Sequence, residues 1–315
     1  MPTKHQISYW QKYDLLYKKH SKKSLFDSLK RKAKKLGPPY KKKGGRGRNL
    51  KFDSISYASF ISLQKIFRHR YREMELESNL YLRDKADHST FARNYAKIPE
   101  EYIEKLIESL VEKEFSYWIA DSTCMSTRIK VERTVQGIRN KVLLRDKYHV
   151  VIGYNPFSHT TMILGVKATD EHVSDSRGAI EILNGKHSHA YFLGDSQYNT
   201  YELHEVVKEV GLFPLMKPDN KGIRKTLSIK ARQVNLFSKN IYKEMRGIVE
   251  TIFGGATNAG LILTYAKNSH TRRLDTLMLA LRHNLMASMR IYYWLFCDKL
   301  YFGSTVSSHD ICHQF

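Results

Sequence analysis

The chain has 315 residues, a formal net charge of +22 and 42% hydrophobic residues. It is therefore expected to bury a real core beneath a strongly basic exterior, and a polyanion is the natural partner. Three cysteines, Cys124, Cys297 and Cys312, without a CxxC pair or paired Cys/His spacing, argue against a disulfide framework and a zinc site.

The charge is concentrated at the front. Residues 1–50 contain 16 Lys or Arg against 2 acids, +14 of the +22, and read as short basic helices followed by a linker broken at "GPPY" and "KKKGGRGR". The arm has no long amphipathic apolar face and no lipidation signal, so nucleic acid is the expected partner and a membrane is not. No signal peptide is recognisable. The most apolar helical stretch, "LDTLMLALRHNLMASMRIYYWLFC", contains Arg282, His283, Asn284 and Arg290, which argues against a membrane span. A soluble, cytoplasmic, DNA-associated protein is expected.

Residues 53–110 read as wholly helical, with Ser89 as an N-cap and Pro99 at a first turn. If this region is a helix-turn-helix, the helix opened by Ser89 presents Thr90, Arg93 and Asn94 to DNA. The alternative is a helical bundle that packs on the next domain.

From residue 115 the texture changes. "FSYWIADST" reads as a buried strand ending in Asp121, "YHVVIGYN" and "TTMILGVKAT" as two more strands, and "DSRGAIEILNG" as a helix with Asp175 as its N-cap. "AYFLGDSQY" is a fourth strand ending near Asp195, "NTYELHEVVKEVG" a helix, and "LFPLMKP" a short fifth strand. The insertion "STRIKVERTVQGIRNKVLLRDKYHV" carries Arg128, Lys130, Arg133, Arg139, Lys141, Arg145 and Lys147. It reads either as a DNA guide or as a solvated hairpin.

The last feature is a helix over "NIYKEMRGIVETIFGG". At roughly 100° per residue, Tyr242, Arg246 and Glu250 share one side, while Ile241, Met245, Ile248 and Ile252 form an apolar stripe on the other. Arg246 and Glu250 read either as a surface pair or as part of a site.

Asp121 in "IADST", Asp195 in "LGDSQY", and Tyr242, Arg246 and Glu250 in "YKEMRGIVETIFG" together resemble the RNase H-like catalytic core of the DDE transposases encoded by insertion sequences, over roughly residues 53–295. The resemblance implies an α/β fold: an RNase H-like mixed sheet flanked by helices (113–298) with a C-terminal tail (299–315). A small all-helical DNA-binding region (51–112) and a basic N-terminal arm (1–50) precede it. It further implies that Asp121, Asp195 and Glu250 hold two Mg²⁺ or Mn²⁺ ions, with Arg246 and Tyr242 beside them. The implied reaction is cleavage at element ends and strand transfer into target DNA, by a homodimer in a prokaryotic cell.

Hard cations prefer oxygen ligands, and a site without His or Cys suits them. Three residues separate Tyr242 from Arg246 where the family has two, and position 257 is Thr where the family often has Lys or Arg. The closing helix, with Asn284 in an "HN" pair, is read as a core helix with a buried polar cap. A transposase-derived DNA-binding regulator without catalysis is the alternative function.

Overall fold

The computed structural model describes residues 21–41, 50–111, 114–127, 130–135, 138–218, 237–258 and 263–301. The expectations on residues 1–20, the "GGRGRN" string, Arg128 and the tail from 302, with Cys312, lie outside the described residues.

Among the described residues five helices come first: α1 (Lys22–Leu36), α2 (Ser54–Ile66), α3 (Tyr71–Leu82), α4 (His88–Tyr95) and α5 (Glu100–Glu108). Each start has a local cause. Ser21 caps α1 by accepting the Ser24 N–H, and Asp53 caps α2 by accepting the Ser56 N–H. At α4 the cap is Asp87, which accepts from the Ser89 backbone, so the expected Ser89 cap falls two residues late. Pro99 caps α5 one position outside the expected first turn.

Strands β1 (Tyr117–Thr127), β4 (Arg145–Asn155), β5 (Thr160–Asp170), β6 (Tyr191–Gly194) and β7 (Phe213–Met216) form one sheet in the order β5-β4-β1-β6-β7. Between β1 and β4 the chain makes a separate hairpin, β2 (Val131–Val135) and β3 (Ile138–Val142). β4 runs antiparallel to β1 and β5 antiparallel to β4, whereas β6 pairs parallel with β1 and β7 parallel with β6. Helices α6 (Asp175–Leu183) and α7 (Tyr201–Glu209) make the crossovers. Helix α8 (Lys239–Asn258) precedes the short β8 (Leu263–Thr264), which extends the far end of β1, and α9 (Ser269–Tyr301) follows. Three antiparallel strands joined to two parallel ones around a central first strand is the RNase H-like arrangement.

Among the described residues, one continuous apolar cluster runs from Leu25 and Phe26 of α1 through the five helices, the sheet and α9. The helical region therefore packs directly on the sheet unit. Polar ties reinforce the junction. Asp275 of α9 accepts from Tyr95 Oη of α4 at 2.8 Å and Thr264 Oγ1 of β8 at 2.6 Å, and Lys65 Nζ of α2 lies 3.2 Å away. Asp146 and Arg272, both buried, form an ion pair that fastens the start of α9 to β4.

Asn284, fully buried on α9, serves a break in the β4–β5 ladder. Val151 pairs with Gly165 and Ile152 with Ile163, leaving Leu164 as an extra residue. Asn284 accepts the Ile163 N–H at 2.7 Å and donates to Ile163 O at 2.7 Å and to Ile107 O at 3.1 Å. A side chain at a bulge supplies what the ladder cannot. No helix among the described residues is long and apolar enough to cross a membrane.

Candidate active site

Asp121 does not end its strand. β1 runs on to Thr127, because Ser122 to Ser126 stay paired with β4 while β8 takes over on the other side. What does end there is β6. Its pairing with β1 stops at Ile119↔Leu193 and the strand at Gly194, so two residues further along each chain stand Asp121 and Asp195. The long antiparallel ladder fixes the first aspartate, and the loss of its parallel neighbour opens the sheet beside it. Asp195 caps a single 3-10 turn, Ser196–Tyr198, accepting the Gln197 N–H at 2.8 Å. Asp121 Oδ1 accepts the Ser122 N–H at 2.8 Å. Among the described residues no hydrogen bond occupies the second oxygen of either aspartate.

These carboxylates feel one another. Burial pushes the Asp121 carboxyl up to about 6, and the charges of Asp195 and Asp175 add to the rise, while the Ser122 N–H and Arg246 oppose it. Tyr198, buried beneath the pair, is driven well above the ordinary phenol range by burial and then by Asp175, Asp121 and Asp195. The site is an acidic pocket in a basic protein, and its donors are hard oxygens. That donor set fits a divalent cation such as Mg²⁺ or Mn²⁺.

Asp175 is the member that sequence reasoning assigned to helix capping. Ser174 is the cap of α6, and Asp175 occupies the first turn, 7% exposed. Its Oδ1 accepts from Lys147 Nζ at 2.6 Å and from Ser122 Oγ at 2.6 Å, and His149 Nδ1 lies 3.8 Å away. Lys147 also donates to Val173 O at 3.2 Å. Burial brings the His149 imidazole down to about 4, so it stays neutral near pH 7. Its ring sits against α6 at Gly178, where an added Cβ would lie 2.3 Å from the ring. Only glycine admits this close approach. The clue in the sequence was Lys147 and His149, two residues apart and so on one face of a strand, just ahead of the apolar run Val150–Ile152.

Helix α8 packs on the sheet through its apolar stripe, with Met245 and Val249 buried and the Phe253 ring edge-on to Tyr148, 6.2 Å between centroids. Tyr242 and Arg246 lie within electrostatic range of the aspartates. Burial raises the Tyr242 phenol and the charges of Asp195 and Asp121 add to the rise, with Arg246 opposing. The Tyr242 ring also lies tilted against Phe237, 5.8 Å between centroids, and under Lys217 Nζ, 5.9 Å from its ring centroid.

Glu250 stands apart. Its Oε1 accepts from Arg246 Nε at 3.0 Å, and the two side chains are 65% and 62% exposed, the geometry of a surface pair. Asp121, Asp195 and Glu250 do not bring ligand atoms within 4.8 Å of one another. The expected triad is thus not gathered as one ligand group among the described residues, and the Glu250 carboxylate is paired with its own arginine one helical turn earlier. Among the described residues, the group that does gather within that distance is Glu75, Asp87 and His88, in the helical region. There Asp87 is the α4 cap and Glu75 binds His88 Nδ1 at 2.9 Å and Lys85 Nζ at 3.2 Å, so capping and ion pairing account for it.

Of the residues expected to contact DNA, Asn94 is overturned. It is 2% exposed, donates to Thr90 O and accepts from Tyr40 Oη, each at 2.8 Å, and has no surface left for a base or phosphate. Arg93 is exposed, its guanidinium folded back on Ser89 and Thr90. Lys130, Arg139 and Lys141 are exposed on or beside the hairpin, and Arg133 lies in β2 opposite Asn140.

A family model for the transposase DDE domain matches residues 112–285, more than half of the chain. The chain belongs to the DDE-domain transposases. The match runs from the segment before β1 into α9 and so takes in Asp121, Asp195 and α8. No curated protein matches the chain. Among solved structures, a cryo-EM structure of a piggyBac transposase synaptic complex with hairpin DNA aligns over 87% of this chain and 75% of that one, with 9% identity and a TM-score of 0.43. DDE transposases act on DNA and use divalent metal ions, so both belong to this chain's family.

Proposed function

We propose that this transposase is encoded by an insertion sequence, cuts the ends of its element and joins them to target DNA. The observation that carries the reading is the Asp121–Asp195 pair, set two residues past the last β1–β6 pairing, where burial and then the charge of Asp195 raise the Asp121 carboxyl. Two bound Mg²⁺ or Mn²⁺ ions would neutralise the attacking and leaving oxygens of an in-line displacement at a phosphodiester. Asp121 and Asp195 would hold them, joined by Glu250.

The protein's own groups do the rest. Ser122 and Gln197 N–H groups fix one oxygen of each aspartate and leave the other without a hydrogen bond among the described residues. Arg246 offers a planar fork that can exchange Glu250 for a phosphate without losing its charge. Tyr242, tucked beside the aspartates, borders the path of the strand. The exposed cations of the β2–β3 hairpin, Lys130, Arg139 and Lys141, with Arg128 and Arg133, guide the duplex toward the acids by charge. Arg93 adds a contact from the helical region. In this reading the working form is a homodimer on paired element ends, in the cytoplasm of a prokaryotic cell.

The test is to incubate the protein with the DNA flanking its own gene and Mg²⁺ or Mn²⁺, then map the ends. Nicks or double-strand breaks at defined terminal sequences, followed by joining to a second DNA, support the reading. Binding without metal-dependent cleavage supports a regulator instead.

A further inference from the structure

The cations of the helical region are not all alike in their partners. Lys22, Lys51, Lys65 and Lys85 are matched with Glu77, Asp84, Asp275 and Glu75. Lys34, Lys35, Lys41, Arg93 and Lys97 are exposed, and none has an acidic partner among the described residues. Arg31, Arg70, Arg72, Arg83 and Lys105 are exposed without an acidic partner among the described residues as well. The first five are set apart by where they lie: the last turn of α1, the segment after it, and α4 with the turn that follows.

That segment joins the other two. Helix α1 stops at Gly37, φ 86°, and Tyr102 Oη of α5 donates to both Ala33 O at 3.3 Å and Gly37 O at 3.1 Å, anchoring the helix end. Pro38 and Pro39 then stiffen the chain. Tyr40, half-buried, lies against α4: its hydroxyl donates to Asn94 Oδ1 at 2.8 Å, and Lys97 Nζ sits 6.0 Å from its ring centroid. Asp53, the acid within electrostatic range of Tyr40, is already taken up by the Ser56 N–H at 2.8 Å and the Ser56 hydroxyl at 2.7 Å. A stretch whose composition suggests a loose linker is therefore a strap, pinned at both ends and leaving its cations unneutralised. This gives buried Asn94 a use that its sequence position did not suggest.

We propose that Lys34, Lys35, Lys41, Arg93 and Lys97 form a single track for the phosphate backbone of duplex DNA, with the Tyr40–Asn94 hydrogen bond as the peg that holds the α1 and α4 halves together. The proposal takes duplex DNA as its partner from the transposase reading. It requires no metal and none of the carboxylates of the sheet.

The experiment measures affinity of the full-length protein for a short mixed-sequence duplex across a salt series. Removing one cation from a phosphate lowers the slope of log affinity against log salt by about 0.9. Lys34→Ala with Lys35→Ala should flatten it by about 1.8, and Lys97→Ala by about 0.9. Tyr40→Phe changes no charge and keeps the ring under Lys97, yet should flatten the slope by about 1 or more as the two halves slip out of register. A thermal melt run alongside shows that each variant is folded; the lysines are exposed, so their variants keep the test alive if Tyr40→Phe melts early.

Unchanged slopes in the lysine variants overturn the track. Flattened slopes there with a wild-type slope in folded Tyr40→Phe overturn the peg. A wild-type protein that binds steeply but never cuts refutes the transposition reading and leaves the track standing, whereas flat slopes with intact cutting do the reverse.

Discussion

Asp175 and Lys147 meet at 2.6 Å with only 7% and 17% of their side chains exposed, one residue removed from Asp121 through the Ser122 hydroxyl. A pair this deep is neutralised before any substrate arrives, so Asp175 supports the site and does not act as a free acid in it. Removing one partner of a buried pair leaves the other uncompensated, at about 3–5 kcal/mol. Asp175→Ala should therefore destabilise the protein by that order in urea unfolding, with Lys147→Ala similar. The double variant should cost less than the two singles summed; additivity would show that the two charges do not interact.

Ser122→Ala separates support from stability. It deletes the hydroxyl that donates to Asp175 but keeps the backbone N–H that holds Asp121 Oδ1. Deleting one hydrogen bond to a charged group should cost about 1.5–3 kcal/mol. If Asp175 positions Asp121 through this hydroxyl, cleavage rate should fall while affinity for DNA does not. A variant as active as wild type would confine Asp175 to holding α6 on the sheet.

Much of this was legible in the sequence, and what was not has definite causes. The apolar strands, the crossover helices and the stripe of α8 followed from periodicity because each is local. The point where β1 loses its parallel neighbour is set by where β6 stops, a pairing fact no strand carries in its own residues, so Asp121 reads as a strand end when it lies in mid-strand. Asp175 reads as a cap because Ser-Asp at a helix start is ordinary, and its partner Lys147 is 28 residues away in sequence. Asn94 looks exposed only until Tyr40, 54 positions earlier, is known to lie against it. Glu250 is where the helix puts it, yet whether an i,i+4 arginine or the aspartates hold its carboxylate is a tertiary question.

Asn284 offers a test of the scaffold distant from the acids. Its amide satisfies both backbone groups of Ile163 at the bulge and one carbonyl of α5. Asn284→Leu keeps the volume and leaves those groups buried without partners, each costing about 1–3 kcal/mol. Unfolding should come at markedly lower urea. A drop under about 1 kcal/mol would mean that the bulge rearranges to satisfy itself.

Asp121 makes stability depend on pH in a direction opposite to most carboxylates. Its folded value, about 6, lies above the ordinary 3.8, so the folded state binds the proton more tightly than the unfolded one. The ionised form is the strained one. In metal-free buffer the wild type should lose stability as pH rises from about 4 to about 6, by up to about 3 kcal/mol at 1.36 kcal/mol per unit, and no further above that. Asp121→Asn carries no charge to repel Asp195 and Asp175, so it should melt higher than wild type at pH 7–8 and level with it near pH 4. Equal melting temperatures at both ends would remove the carboxylate crowding on which the metal-site reading leans.

The decisive prediction takes Asp121, Asp195, Glu250 and Arg246 together. Asp121→Asn, Asp195→Asn and Glu250→Gln each preserve shape while removing a charge, so folding and DNA binding should survive. Metal-dependent cleavage and strand transfer should each fall by at least about two orders of magnitude, the scale of removing one preorganised electrostatic interaction with the transition state. Glu250 and Arg246 carry the sharper question, because they are paired with each other at 3.0 Å and largely exposed. An exposed i,i+4 pair is worth only a few tenths of a kcal/mol to the helix, so neither Glu250→Gln nor Arg246→Lys should move the melting temperature appreciably. If Glu250 leaves Arg246 to join the aspartates in the working complex, Glu250→Gln abolishes cutting. Arg246→Lys, which keeps the charge but loses the planar fork, then lowers cutting far more than affinity. Measuring cleavage, joining and affinity on one DNA with Mg²⁺ decides it. A fully active Glu250→Gln protein would leave the pair as the surface contact its geometry describes and send the search for a third ligand elsewhere. Inactive aspartate variants beside it would still place the chemistry at Asp121 and Asp195.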